Sequence, residues 1–475
     1  MGRLRKMRAN SHRVRMTVIT LSSDISAFFV ALALLVFLNY LFNIFTFDHN
    51  DWRYLLIIPL TLAWFTNAPL YPAVGLSPAE EIRLVTQRVS LSMGVLLLVL
   101  EMASSLWHPN RMAIFVLWVL LIFCILLCRW SMRILSVRYG WWGEPVAVAG
   151  RAEQVVHLTH YFLNRQRLGF IPALAIVCDE TKMHDLSLPV IYLSQIREQA
   201  WLTDSAIHTL IIPFSTLSEY LQNLTFAPWL HHFASLVIVH DLKWFGGFAF
   251  SIRDFEGLIG LEAERSFTIG SFAIFLKRSM DIFGGLLIGL LSLPILLIAA
   301  ICIRFDSPGP IFYTQTRIGM GGKMIRLYKL RTMVQNAEAL LEEYLRTNPE
   351  ARQEWEKSGK LRNDPRITRV GRFLRKFSLD ELPQVYNILR GDMSLVGPRP
   401  LPLYHHEQLS ETVRALRLSV RPGLTGLWQV SGRSDSGNHG MEQYDTYYVR
   451  HWSIWLDIYI LLRTIWVVLK GEGAY

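Results

Sequence analysis

Four apolar runs fall within the first 130 residues, at about Ile25–Phe45, Tyr54–Leu70, Ser90–Trp107 and Met112–Leu127. A helix crosses the hydrocarbon core with roughly 17 to 25 mostly apolar residues, since lipid offers an open backbone no hydrogen bonds. The first and last runs meet that length clearly; the second and third approach its lower limit. Residues 1–140 are therefore expected to form a membrane α-helical bundle of four transmembrane helices. Glu101 sits near the end of the third run, where a carboxylate either serves function or simply reaches the interface.

Positive residues orient the bundle. Arg3, Arg5, Lys6, Arg8, Arg13 and Arg15 precede the first run, Arg83 and Arg88 separate the second from the third, and Arg129, Arg133 and Arg138 follow the fourth. The other two connections carry only Arg53 and Arg111. The positive-inside rule then puts both ends of the bundle, and everything after residue 140, in the cytoplasm. Trp52, Trp107, Trp130, Trp141 and Trp142 fall where amphipathic rings mark an interface. The first run is too long for a secretory leader and no cleavage site follows it, so no signal peptide is expected.

At 475 residues the chain exceeds one compact core, and its net charge of +10 calls for an anionic partner: nucleic acid, an acidic leaflet or a phosphate-bearing substrate. Cys124, Cys128, Cys178 and Cys302 lack any zinc or redox spacing and read as reduced packing thiols.

Residues 141–265 alternate short apolar runs with helical patterns. EPVAVAG, FIPALAIVCDE, HTLIIPFS and FASLVIVHD read as buried parallel strands of an α/β, Rossmann-like domain. Gly150 and Asp179 stand where a dinucleotide fold keeps its phosphate turn and its ribose-binding acid. The turn reads GRAEQVV, however, with one glycine where the fingerprint needs three, and no Tyr-x-x-x-Lys pair follows. A degenerate domain with a structural or regulatory role is the expectation.

A fifth apolar run, Ile282–Ile303, is broken by Pro294. Lys277 and Arg278 precede it and Arg304 follows, so its flanks lack the asymmetry of a spanning helix. A re-entrant helix over about 280–304 fits better, with its break at Ser292 and Pro294 and the Ser292 hydroxyl available to a freed carbonyl.

Residues 308–475 are polar, basic and dense in glycine turns, and with the apolar run they complete a domain at 266–475. PGPIFYTQTRIG and GGKMIRLYKLRTM bring Arg317, Lys329 and Arg331 together, and a charged stretch at about 334–358 reads as a solvated helical pair. Ser378 and Glu381 have capping-box spacing, and Leu382, Val385, Tyr386 and Leu389 make one apolar helix face, so Asp380 and Glu381 belong to a first helical turn. Carboxylates there can merely complement a helix dipole. The surrounding arginines (Arg366, Arg369, Arg372, Arg375, Arg390, Arg399) exceed what salt bridging needs and suit a dianionic phosphate. That company points to phosphoryl transfer, with one of the two carboxylates attacking phosphorus and positive charge from arginines, lysine or a divalent cation steadying the transition state. Farther on, RPGLTGLWQVSGR sets Arg421 and Arg433 around a turn with Gln429 facing outward, His405 and His406 read as surface residues, and a tryptophan-rich amphipathic helix near the end lies on the membrane.

These strings resemble one family. KRSMD, the SPGP turn, YKLRTM, LDELPQ, GDMSLVGPRP, RPGLTG and the terminal GAY match, in order and over about 200 residues, the catalytic unit of bacterial polyprenyl-phosphate sugar-1-phosphate transferases, the monotopic phosphoglycosyl transferases. The bundle and degenerate α/β domain resemble its large members. The insertion before the dyad departs from the smallest members and leaves the motifs intact. The resemblance implies a mainly α monotopic catalytic domain with a re-entrant helix and a catalytic dyad at Asp380 and Glu381. Asp380 would be the nucleophile, with Mg2+ beside it, and Lys329, Arg399 and Arg433 would be the matching cations. Candidates for phosphate or nucleotide contact are thus Lys329, Arg331, Arg375, Arg399, Arg421 and Arg433.

The implied reaction takes a hexose-1-phosphate, galactose before glucose, from a UDP-sugar to undecaprenyl phosphate. UMP leaves, and an O-antigen, capsule or exopolysaccharide repeat begins. Expected partners are these substrates and inner-membrane lipids, with no nucleic acid and with a homodimer as the candidate assembly. The expected location is the bacterial inner membrane, with the catalytic domain on its cytoplasmic face. Two other classes stand beside this reading: a membrane-anchored nucleotide-sugar oxidoreductase, against which the missing glycines count, and a non-catalytic scaffold for polysaccharide assembly.

Overall fold

The structure, a computed structural model, describes residues 2–43, 55–102, 110–179, 181, 186, 188–193, 207–221, 233–239, 248–255, 258–265, 271–358, 361, 363–431 and 437–470. It divides into two compact units, Met1–Gly246 and Gly247–Tyr475.

The first unit opens with helices α1 (Gly2–Phe42), α2 (Ile57–Thr66), α3 (Pro78–Met102) and α4 (Arg111–Arg138). Phe28, Leu35, Phe65, Val85, Leu96, Leu117 and Ile125 belong to their shared core, while apolar side chains such as Phe29, Phe37, Leu98, Phe115 and Phe123 face outward, as lipid requires. These three are long and apolar enough to cross a membrane; α2 is not, with 10 residues. The expected second span is corrected accordingly. Pro59 near its start and Pro69 just beyond it confine the helix to roughly 15 Å, about half the hydrocarbon thickness.

Two arginines used to orient the bundle have structural partners. Buried Arg129 grips Asp24 through two 2.7 Å hydrogen bonds and meets Glu81 at 3.3 Å, while Arg133 binds the same Glu81 at 2.7 and 2.8 Å. The Tyr71 hydroxyl donates to Asp24 at 2.6 Å, so every charge of this buried cluster has a partner. Trp142, expected at an interface, is buried instead and donates to the Arg167 carbonyl. Glu101 pairs with Arg111 at the exposed end of α3.

A five-stranded parallel sheet follows: β1 (Glu144–Gly150), β2 (Phe170–Val177), β3 (Val190–Tyr192), β4 (Thr209–Pro213) and β5 (Ser235–Val239), in the order β3-β2-β1-β4-β5. Helices α5 (Ala152–Leu163) and α6 (Phe214–Leu221) contribute Leu158 and Phe162, and Leu217, to cores on opposite faces. The amide ends of α5 are already occupied. Asp179 accepts from the Ala152 N–H at 3.2 and 3.3 Å, and Gln154 accepts from the Arg151 N–H at 3.0 Å. Side chains therefore satisfy the donors that a pyrophosphate would need.

The second unit begins with the antiparallel hairpin β6 (Phe248–Phe255) and β7 (Leu258–Arg265), then the 36-residue helix α7 (Ser271–Asp306). Pro294 lies inside α7, and Ser292 donates to the Gly289 carbonyl at 3.1 Å rather than to the carbonyl of Leu290 that the proline frees. Next come hairpin β8 (Phe312–Ile318) and β9 (Met324–Leu330), the expected helical pair α8 (Ala337–Thr347) and α9 (Pro349–Ser358), and α10 (Arg369–Lys376). A 3-10 turn (Leu379–Gln384) leads into α11 (Val385–Arg390) and strand β10 (Ser394–Val396). Short helices α12 (Leu403–Glu407) and α13 (Glu411–Leu418), strand β11 (Gly423–Thr425), α14 (Leu427–Ser431), α15 (Gly437–Arg450) and α16 (Ile454–Lys470) complete it.

Candidate active site

Asp380 and Glu381 lie in the 3-10 turn, and the capping box expected there is not formed. Ser378 adopts a left-handed conformation (φ 54°), its side chain caps nothing, and only its carbonyl meets the Glu381 N–H, at 3.3 Å. The expected apolar face is corrected too: Val385, Asn387 and Ile388 are buried, whereas Tyr386 is exposed. Asn387 explains the difference, since its amide donates to the Arg326 carbonyl at 2.7 Å and accepts from the Tyr328 N–H at 3.3 Å. This staple holds α11, and the turn before it, against β9.

Helix α7 supports the turn from the other side. A Cβ at Gly284 would lie 2.5 Å from Leu395, and one at Gly285 3.1 Å from Leu389, so glycines there let the segments approach closely. Arg278 donates to the Ile388 and Leu389 carbonyls at 2.7 and 2.8 Å, closing the end of α11. Lys277 donates to the Val396 carbonyl at 2.9 Å and to Asp457 at 2.7 Å, while buried Asp281 accepts from Ser394 and Leu395 at 2.8 and 2.9 Å. The KRSMD motif thus secures the strand leading to Arg399, a role invisible without the partners.

The result is a charged constellation. Lys329 on β9 approaches Glu381 to 2.7 Å and Asp380 to 3.8 Å, and Arg399 reaches the same Glu381 oxygen at 3.0 Å. Burial alone would raise Glu381, but Arg399 and Lys329 outweigh it and hold the carboxyl well below its usual range. Asp380 is shifted the other way: burial and the adjacent Glu381 charge push it up against the pull of Lys329, Arg375 and Arg399. Half-buried Arg375 faces Asp380 and Asp364 and donates to Thr332 at 2.9 Å.

The remaining candidates scatter. Arg331 is buried and holds the Ser307 and Pro308 carbonyls at 2.5 and 2.9 Å, which fixes the SPGP turn. Arg421 donates to the Gly391 carbonyl at 3.0 Å. Arg433 and the terminal GAY lie outside the described residues. Gln429, expected to face outward, is buried, as is His406, whose imidazole burial and Arg417 hold below its ordinary range.

Among the described residues no group of three or more His, Cys, Asp or Glu side chains could cage a metal. Magnesium needs no such cage where substrate phosphates and water supply most ligands. Asp380 suits that arrangement: among the described residues its carboxylate has the Lys329 contact at 3.8 Å and accepts no hydrogen bond.

Residues 272–471 match the family model described as bacterial sugar transferase. Over 384 residues, covering 78% of each chain, the sequence is 36% identical to a UDP-galactose-lipid carrier transferase of Erwinia amylovora. It is 33% identical over 386 residues, again 78% of each chain, to an undecaprenyl-phosphate galactose phosphotransferase of Salmonella typhimurium. A UDP-glucose:undecaprenyl-phosphate glucose-1-phosphate transferase of Escherichia coli K12 is 39% identical over 209 residues, 42% of this chain and 41% of that one. Similarity at 36% over 384 residues extends well beyond the matched domain, and the chain belongs to the bacterial sugar transferases.

Proposed function

We propose that this chain transfers a hexose-1-phosphate from a UDP-sugar to undecaprenyl phosphate at the cytoplasmic face of the inner membrane, releasing UMP. The carrying observation is the inequality of the dyad. Glu381 is committed to Lys329 and Arg399, whereas the Asp380 carboxylate accepts no hydrogen bond among the described residues and keeps its lone pairs. An Asp380 oxygen attacks the sugar-bearing phosphorus, and the bond to UMP breaks with its electron pair leaving on UMP. An oxygen of the lipid phosphate then attacks the same phosphorus and frees the carboxylate. Arg399, Lys329 and Arg375 hold positive charge where it accumulates. The oxygens of Asp380 suit magnesium, which when bound neutralises the diphosphate.

The re-entrant reading of α7 is supported by its two ends. Lys277, near the first, bonds to Val396; Asp306, at the last, accepts from the Val370 N–H at 3.0 Å, and Ile303 packs on Leu330 and Leu374. One folded unit touches both ends, which a straight crossing would separate by the bilayer. Galactose is favoured because two galactose-named relatives align over 78% of this chain, whereas a glucose-named relative aligns over 42%. Purified protein with magnesium, undecaprenyl phosphate and UDP-sugars should release UMP with one sugar, UDP-galactose first and UDP-glucose second. No UMP with any sugar would sink the reading and favour a scaffold.

A further inference from the structure

Arg317 lies on β8 in a setting that its own neighbours do not explain. Its guanidinium is about half buried and donates to Gln315 at 2.9 Å and to the Thr316 carbonyl at 3.2 Å. No carboxylate among the described residues stands within ion-pairing distance. Burial, and then the like charge of Arg399, hold its pKa below the ordinary range, though Tyr404 and Tyr313 favour the charged form. A half-buried cation beside another cation is costly unless an anion joins it.

The hairpin sets where that anion would sit. Tyr313 pairs with Lys329 and Arg317 with Ile325, so Arg317 and Lys329 share one face, four residues or roughly 13 Å apart along the strands. One residue beyond Arg317, on the side away from Lys329, the Ile318 N–H donates to the Leu401 carbonyl at 3.1 Å, binding β8 to the segment that carries Arg399. Beside this hydrogen bond Ile318, Gly319 and Arg399 help line a crevice that extends to His406, Arg417 and Pro422, and Arg317 is next in the chain to its Ile318 wall. Arg399 belongs to both ends of the row, bonding Glu381 alongside Lys329 and influencing Arg317 electrostatically. Lys329, Arg375, Arg399, Arg317 and Arg366 face three carboxylates, Asp380, Glu381 and Asp364, which leaves a surplus of about two positive charges for a diphosphate.

We propose that Arg317 binds the nucleoside-bearing phosphate of the donor diphosphate, the phosphate that departs as UMP, with Arg399 spanning this phosphate and the reacting one. This rests on the proposed reaction and adds a leaving-group contact on the side of Arg399 away from the dyad. The polyprenyl phosphate is the other phosphate that could occupy the seam, and separate measurements on donor and acceptor distinguish the two.

The test is equilibrium binding of UMP to the full-length protein, beside steady-state kinetics in both substrates. Arg317→Gln should weaken UMP binding about tenfold and raise the KM for the UDP-sugar similarly, with the KM for undecaprenyl phosphate unchanged. Arg317→Lys should recover part of the loss, and it carries the test if the glutamine variant melts at a lower temperature than the parent. Unaltered UMP affinity in either variant, absence of UMP binding by the parent, or an effect confined to the acceptor KM would overturn the assignment. UMP binding that depends on Arg317 without turnover would overturn the reaction and keep the site; turnover with binding indifferent to Arg317 would do the reverse.

Discussion

Lys329 stands 2.7 Å from Glu381 and 3.8 Å from Asp380, so two successive carboxylates share one ammonium unequally. Arg399 adds to the imbalance by choosing the same Glu381 oxygen. One carboxylate becomes a fixed anion, and its neighbour is left basic and available.

That asymmetry predicts a pH profile. In the proposed reaction Asp380 attacks only when ionised, and burial raises its pKa. The acid limb of single-turnover UMP release should therefore lie above the ordinary aspartate value of about 3.9. Lys329→Met should move the limb higher, because it removes a charge that favours the carboxylate. Asp380→Asn should reduce release by at least about a thousandfold.

Stability should respond with opposite signs at the two positions. The folded state binds the Asp380 proton more tightly than the unfolded chain does. Stability therefore falls as pH rises from the unfolded value through the raised folded one, and the deficit persists at neutral pH. Asp380→Asn should raise the melting temperature at pH 7 by about 2 °C, a gain that vanishes in acid. Glu381 is depressed, so its contribution is present above about pH 4.3 and is lost as pH falls toward the folded value. Glu381→Gln should cost about 2 kcal/mol at pH 7, allowing for the partial exposure of Arg399.

Gly423→Ala tests how Arg399 is placed. A Cβ at Gly423 would lie 2.0 Å from the Gly397 nitrogen, and backbone on both sides cannot yield as a flexible side chain would. We expect loss of the β10–β11 pairing, with destabilisation of about 3 kcal/mol or more in thermal melts and little UMP release from any folded fraction.

Lys277→Met should destabilise the second unit by about 3 kcal/mol, because Asp457 and Asp281, both fully buried, lose their shared cation. Adding Asp457→Asn should recover part of the loss in the same melting assay; a purely additive double variant would refute the coupling.

A chain beginning at Gly247 should keep UMP release in detergent or nanodiscs, since the proposed machinery described here lies beyond that residue. Loss of release from such a folded fragment would give the first unit a catalytic role.

Much of this was legible in residue order. Apolar runs revealed three long bundle helices, because lipid demands them. Continuous aliphatic runs revealed four of the five parallel strands; three-residue β3 is too short to leave a pattern. That Asp380, Glu381, Lys329 and Arg399 belong to one charged cluster was legible from local strings and family resemblance. The sequence did not foretell that Pro59 and Pro69 shorten α2, that Asp179 fills the α5 amide end, or that Gln429 and His406 are buried.

The sequence by itself determined the membrane attachment, the α/β pattern, and a carboxylate pair among arginines, since each rests on composition or local spacing. Tertiary structure alone decided how those charges divide. Lys329 on a β-strand, Glu381 on a turn and Arg399 after a third element converge on one carboxylate, whereas Arg331 and Arg421 bond to backbone carbonyls. Charge interactions depend on distance and burial, and residues separated by 18 to 52 positions acquire both only when the chain has packed.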